Sequence, residues 1–151
     1  MNAEFERRTS EIPGRFEVLM QQPLALLSKT NFPKSPAIYV FYFENIPVHV
    51  GRTKNLQQRL RGHVANSHYS ASFAFKRARA ETGIKATYRK GEGRADLLAD
   101  PLFADAFAKA LSEVADMQIR YLEVPNPIDQ YLLELYAALE LKTSLSEFET
   151  H

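Results

Sequence analysis

The chain has 151 residues, of which 45% are hydrophobic and 25% charged, and this composition is typical of one globular domain with its own core. It contains no cysteine, which excludes disulfides, thiolate metal sites and cysteine nucleophiles and fits the reducing cytoplasm. The longest apolar run, AIYVFYF, has seven residues and is too short to cross a bilayer, and the N-terminal segment lacks the pattern of a targeting signal. We therefore expect a single cytoplasmic domain, 1–151, with no membrane partner.

The net charge of +1 conceals two oppositely charged segments. Arg52 to Arg94 contains eleven Lys or Arg and two Asp or Glu, a local charge of +9, whereas Asp96 to the C-terminus contains three and eleven, a local charge of −8. A basic block of this density is typical of proteins that bind the phosphate backbone of nucleic acids. A solvated basic face neutralised by the acidic segment would have the same composition, so charge alone leaves both interpretations open.

Residues 1–35 form an N-terminal extension that prolines interrupt, and we predict two short helices in it, around Phe16–Gln22 and Leu24–Ser28. A β-hairpin follows. Ala37–Phe43 is rich in β-branched and aromatic residues, ENIP is a plausible turn, and Val48–Val50 resumes the strand pattern.

Two basic helices come next. The first begins near Asn55, a good N-cap residue, and carries Arg59 and His63 on one face at i, i+4. The second covers Ser70–Glu81 and is ended by Gly83, after which Lys85–Arg94 reads as a loop or a short extended segment.

The last third alternates helix, strand and helix. Asp100 and Pro101 are a cap and a first-turn residue for one helix, and MQIRYLEV alternates as a strand. The final helix follows Asn126, and its predicted core face consists of Ile128, Leu132, Leu135, Tyr136 and Leu139. The fold class expected is α/β (α+β), a small, largely antiparallel sheet of three strands flanked by helices.

Several residues could take part in hydrolysing a phosphodiester bond. This reaction needs a base that accepts a proton from water and cations that stabilise the negative charge of the phosphate. Tyr39 and His49 lie on the two arms of the hairpin and can project together. Arg52 and Arg59 lie at and just beyond the start of the helix that leaves the hairpin, where backbone N–H groups also favour a phosphate. Each of these residues could instead have a purely structural or solvent-facing role.

Glu134 stands in the nearly apolar segment YLLELYAALEL, where a carboxylate is costly to bury unless a cation pairs with it. A metal ion or an arginine would explain its presence. The alternative is that it lies at the edge of the helix and contacts water, as most glutamates do.

In sequence order, AIY (Ala37–Tyr39), HVGRTKNLQQRL (His49–Leu60) and LLE (Leu132–Glu134) resemble the motifs of the GIY-YIG nuclease superfamily. The resemblance covers the hairpin, its helix and the last helix, and VGRTKNLQQRL is its most specific part. Residues 1–35 and roughly 65–117 lie outside it, and the second of these segments reads as a basic, helical insertion.

The resemblance implies a role for each matching residue. Tyr39 and His49 match the two motif tyrosines, Arg52 the basic residue after the motif glycine, and Arg59 the catalytic arginine. Glu134 matches the glutamate that holds one divalent metal, Mg²⁺ or Mn²⁺. A nuclease site of this kind requires these side chains to converge in one pocket once the chain folds, with Glu134 and His49 on one side of the sheet.

Three positions depart from the family pattern. Ala37 replaces the first motif glycine, Ser146 falls where many members keep an asparagine, and His49 replaces a tyrosine. A free imidazole has a pKa near ~6.5 and accepts protons at neutral pH, whereas a free phenol has a pKa near ~10. We therefore expect His49 to share or assume the activation of water beside Tyr39, with activity falling below about pH 6.

The leading hypothesis is a metal-dependent endonuclease acting on DNA, with RNA or branched DNA as other possible substrates and a monomer or homodimer as the active form. Candidate substrate contacts are Arg52, His63, Lys76, Arg77, Arg79 and Ser146. A nucleic-acid-binding module of the same fold that no longer cuts is the alternative, because Ala37, His49 and Ser146 depart from the pattern. A protein-interaction domain that ignores nucleic acid ranks last because of the basic block.

Overall fold

The structure is a computed structural model that describes residues 1–65, 71–83, 93–145 and 148. The predicted segment Lys85–Arg94, apart from its last two residues, and Ser146 lie outside the described residues. The chain divides into two compact units, which we call the sheet unit (Met1–Gln57 with Met117–His151) and the helical unit (Gln58–Asp116). Among the described helices, none has the length and apolar character that a membrane span requires.

The elements follow one another in chain order with short connections. They are α1 (Ala3–Ser10), α2 (Ile12–Gln21), β1 (Ala25–Leu26), a 3-10 turn (Leu27–Lys29), β2 (Ala37–Phe43), β3 (Ile46–Thr53), α3 (Leu56–His63), α4 (Ser72–Thr82), α5 (Arg94–Ala99), α6 (Pro101–Ala115), β4 (Gln118–Glu123) and α7 (Pro127–Leu141).

The sheet is antiparallel with strand order β1-β4-β2-β3, so the α+β class is confirmed but the described sheet has four strands instead of three. The extra strand is β1, which has two residues and pairs Ala25 with Ile119. The helix predicted at Leu24–Ser28 is therefore wrong. A two-residue strand is too short to show an alternating pattern, and the 3-10 turn that follows it resembles the start of a helix.

The β2–β3 hairpin is confirmed, and its turn is tight. Glu44 and Asn45 have φ values of 51° and 66°, and left-handed geometry at both central residues matches the right-handed twist of the strands. The pairing shifts between Phe41, opposite His49, and Tyr42, opposite Pro47, which leaves Val48 as the extra residue of a β-bulge.

The two faces of the sheet differ. Because directly opposed residues share a face, Tyr39, Phe41, His49 and Gly51 point to one side, which we call the tyrosine face. Ile38, Val40, Val50 and Arg52 point to the other, which α2 and α7 cover. The buried core of this helix-covered face consists of Ile12, Leu19, Ile38, Val40, Tyr42, Val50, Val124, Leu133, Ala137 and Ala138.

Helix α7 begins and ends as the sequence predicts, but its core face is different. Asn126 caps it by accepting from the N–H groups of Ile128 and Asp129. Its buried residues are Asp129, Gln130, Leu133, Glu134, Ala137 and Ala138. Of the predicted core face, Ile128, Leu135 and Leu139 are exposed, and Leu132 and Tyr136 only flank the core. The prediction of this face is wrong because α7 is apolar on both sides, and the side that packs on the sheet carries Leu133, Ala137 and Ala138.

Ion pairs at Asp129 link the first two helices to α7, and α2 also buries Ile12 and Leu19 in the core. Arg8 Nη1 donates to Asp129 Oδ1 at 2.8 Å, and Arg15 Nη1 lies 3.4 Å from Asp129 Oδ2. Hydrogen bonds to Asp129 and then to Glu4 raise the pKa of Arg8 above its ordinary value. Helix α1 was not predicted, because it buries no apolar residue and its attachment depends on this ion pair.

The helical unit has an aromatic core of its own. The Phe75 ring centroid lies 5.1 Å from that of Phe103 and 6.0 Å from that of Phe107, which joins α4 to α6. Gly83, at a φ of 74°, ends α4 as predicted. Asp100 caps α6 as predicted, by accepting from the N–H of Leu102.

Candidate functional site

Tyr39 lies across Gly51 on the tyrosine face. The two residues are directly opposed in the β2–β3 ladder, and a Cβ on Gly51 would lie only 2.8 Å from Cε2 of the tyrosine ring. The absence of a side chain at Gly51 is therefore what allows the phenol to cross the neighbouring strand. Tyr39 itself is buried, with 1% of its surface exposed.

His49 stands beside that phenol and is only partly buried. Its ring centroid lies 6.1 Å from that of Tyr39 and 5.8 Å from that of Phe41. His49 comes directly after the bulge at Val48, and bulges redirect the side chains next to them. The prediction that Tyr39 and His49 project together is confirmed.

Arg52 and Glu134 form a second pair on the helix-covered face. Arg52 Nε lies 3.8 Å from Glu134 Oε1, and the two side chains are 30% and 7% exposed. The Arg52 guanidinium carbon also lies 3.6 Å from the centroid of the Tyr131 ring, within the range of a cation–π interaction. Glu134 is therefore buried next to a cation, and the alternative of a water-exposed glutamate is wrong.

Gln130 sets the position of α7 at this point. Its side-chain amide donates to the carbonyl of Thr53 at 3.1 Å and to that of Val124 at 2.8 Å. The first bond connects the first turn of α7 to the end of β3 and the second connects it to the residue after β4, and Glu134 follows one turn later. Gln130 and Tyr131 were not among the predicted site residues. Gln130 gives the same signal as Glu134, because both are polar residues in a nearly apolar helix, four positions apart.

The strand residues of the two pairs point to opposite faces of the sheet. The pleat turns Tyr39 and His49 to the tyrosine face and Arg52, which lies next to Glu134, to the face that α7 covers. The convergence of Glu134 and His49 in one pocket stays a prediction. Strand β3 is last in the strand order, so the two pairs flank an edge strand. Arg52 lies three positions after His49 along the strand, a distance of ~10 Å.

A carboxylate with water ligands is a donor set that Mg²⁺ accepts, because this ion retains several waters in proteins. Glu134 has the required hard oxygens, and Arg52 Nε lies 3.8 Å from its Oε1. The chemistry of Glu134 therefore fits a single divalent ion, which would compete with Arg52 for the carboxylate.

Arg59 and His63 belong to the helical unit. Helix α3 begins at Leu56 in the sheet unit, but its residues from Gln58 onward belong to the helical unit. Arg59 is partly buried, and its role as the catalytic arginine stays a prediction. His63 is fully buried, and its ring centroid lies 6.4 Å from that of Phe73. Because His63 has no exposed surface, the structure gives no support to substrate contact by this residue, which stays a prediction.

The basic residues of α4 have partners within the helical unit. Arg77 Nη2 lies 2.6 Å from Glu113 Oε2, and the Arg77 guanidinium carbon lies 5.8 Å from the Phe73 ring centroid. The Arg79 guanidinium carbon lies 5.6 Å from the centroid of Phe75. Lys76 is partly buried. Arg77 thus links α4 to α6, and substrate contact by Lys76, Arg77 and Arg79 stays a prediction.

The chain matches no protein-family model, no curated protein and no solved structure.

Proposed function

We propose that this protein is a metal-dependent endonuclease of the GIY-YIG type that hydrolyses phosphodiester bonds in DNA. The observation that carries the proposal is the arrangement around the edge strand β3. A tyrosine–histidine pair lies on one side of this strand and an arginine–glutamate pair on the other. A nucleic acid strand that crosses this edge would meet a base, a cation and a metal-binding carboxylate in turn.

His49 is the proton acceptor in this proposal. It is less buried than Tyr39, and a neutral imidazole can take a proton from water directly. Tyr39 then acts as a positioning residue, because its buried ring lies beside the imidazole and across Gly51.

Arg52 binds the scissile phosphate in this proposal. Its guanidinium is about one-third exposed, and a guanidinium offers two parallel N–H groups to phosphate oxygens. Glu134 would hold one Mg²⁺ or Mn²⁺ ion, which when bound supplies positive charge to the leaving oxygen.

Plasmid nicking tests the proposal. Supercoiled DNA is incubated with the protein in Mn²⁺ or in EDTA, and the wild type is compared with Glu134→Gln and His49→Ala. Because a bound ion contributes several kcal/mol of charge stabilisation, Glu134→Gln should lower the nicking rate about a hundredfold or more. His49→Ala should lower it about a hundredfold or more as well, the contribution of a general base.

The matched control is Glu140→Gln, which removes the same charge from an exposed position on the same helix and should leave nicking unchanged. Salt-sensitive binding of DNA without metal-dependent nicking would replace the enzyme with a binding module. The same rate in wild type and His49→Ala would remove the histidine from the mechanism.

A further inference from the structure

Arg52 lies next to the carboxylate that would hold a metal ion in the proposed function. The Tyr131 ring stacks on its guanidinium at 3.6 Å, and the Glu134 carboxylate lies at 3.8 Å from Nε. Tyr131 is 53% exposed and therefore contributes little to the core. Its main contact among the described residues is the one with Arg52. The stack restricts a long, flexible side chain to the space next to the carboxylate.

Two cations near one carboxylate oppose each other. Glu134 is 7% exposed on its side chain, and in such a place a guanidinium repels a divalent ion more strongly than it would in open water. A DNA phosphate offers Arg52 a different anion. Departure of Arg52 toward that phosphate would remove its repulsion of the metal ion.

We propose that Arg52, held by the positioning residue Tyr131, acts as a substitute cation at Glu134 until nucleic acid draws it away. This inference rests on the proposed function, because it takes Glu134 as the metal ligand. It follows that DNA and the divalent ion each increase the affinity of the protein for the other, since coupling between two bound ligands is reciprocal. The ion would therefore enter the site mainly after the substrate.

The test is a Mn²⁺ titration of the full chain without DNA, followed by paramagnetic broadening of the backbone amide signals of α7 around Glu134. Arg52→Gln should bind Mn²⁺ about threefold to tenfold more tightly than the wild type, the effect of removing one partly buried charge. Lys54→Gln is the control, because Lys54 is an exposed cation just beyond the end of the same strand. It should leave the Mn²⁺ affinity at Glu134 close to that of the wild type.

Tyr131 is tested in the same titration. Tyr131→Ala should raise the Mn²⁺ affinity in the direction of Arg52→Gln, and Tyr131→Phe should restore the wild-type value, because a phenyl ring still stacks on a guanidinium. Leu135→Ala is the matched control on the same exposed side of α7 and should have no effect. If the effect of Tyr131→Ala came from a loss of core packing, Tyr131→Phe would not restore the wild-type Mn²⁺ affinity, and Leu135→Ala would change that affinity as well.

The Glu134→Gln variant distinguishes a failure of the proposed metal site from a failure of the proposed competition between Arg52 and the ion. If Mn²⁺ broadens the same signals in Glu134→Gln as in the wild type, Glu134 is not the ligand and the metal assignment in the proposed function is wrong. If Glu134→Gln abolishes the broadening while Arg52→Gln leaves the affinity unchanged, only the competition is overturned. Absence of broadening in Arg52→Gln would also overturn it, because a carboxylate relieved of Arg52 should then bind the ion.

Discussion

Gly51 is the residue on which the tyrosine face most depends. Its position in the hairpin is evident from the motif, but the reason for a glycine is not, because no pattern in the sequence reveals that a ring crosses it. The structure supplies the reason: Tyr39 occupies the volume that any Cβ at Gly51 would need. The sequence also predicts that Tyr39 and His49 project together, but the alternation of β3 turns Arg52 to the other face.

We expect Gly51→Ala to destabilise the protein by about 1–3 kcal/mol, the usual cost of overpacking a core. The added methyl group meets the buried Tyr39 ring and not the end of a flexible side chain. Urea unfolding of the two proteins, followed by circular dichroism, measures the difference.

Gly14→Ala is the matched control for this substitution. No atom lies within 4 Å of a Cβ at Gly14, which is in α2, so alanine should leave stability unchanged or raise it by up to about 1 kcal/mol. Equal unfolding midpoints for Gly51→Ala and the wild type would show that the ring does not occupy this space.

At the scale of elements, β2, β3, β4, α4, α6 and α7 could be predicted from the sequence, because each has a clear period, a cap or a stop signal. The core face of α7 could not. Its leucines and isoleucines occupy both sides, and hydrophobicity alone does not show that the sheet accepts Ala137 and Ala138 in preference to Leu135 and Leu139. Helix α1 was missed for the opposite reason, because charge and not apolar surface attaches it.

The α7 assignment is tested by substitution at two leucines of the same helix. Leu133 is fully buried in the sheet unit, and Leu133→Ala should cost about 2–5 kcal/mol through lost burial and a cavity. Leu135 is 40% exposed, and Leu135→Ala should cost about 0.5 kcal/mol or less. Thermal and urea unfolding compare the two variants, and a larger loss at Leu135 would restore the face that the sequence predicts.

At the scale of the whole molecule, the separation into a basic and an acidic segment does not translate directly into a DNA-binding surface. Arg77 pairs with Glu113, and a bond from Lys109 to Glu81 raises the pKa of that lysine. These pairs join α4 to α6 inside the helical unit. The sequence reveals the excess of charge, but the long-range pairing that neutralises part of it depends on the fold.

The candidate site is likewise only partly contained in the sequence. The motif residues Tyr39, His49, Arg52 and Glu134 are recognisable by spacing. Their distribution over two faces of an edge strand, and the participation of Gln130 and Tyr131, depend on contacts between the hairpin and a helix about 80 residues further along the chain. The sequence alone therefore does not indicate that catalysis would take place at the edge of β3.

A crystal structure of the protein with Mn²⁺ and a short DNA duplex tests this central claim most directly. The account predicts an anomalous Mn²⁺ signal at the Glu134 carboxylate, a phosphate on Arg52 in place of that carboxylate, and the His49 ring facing the same nucleotide across β3. DNA that leaves the edge of β3 untouched, with Arg52 still beside Glu134 and no Mn²⁺ there, would contradict it.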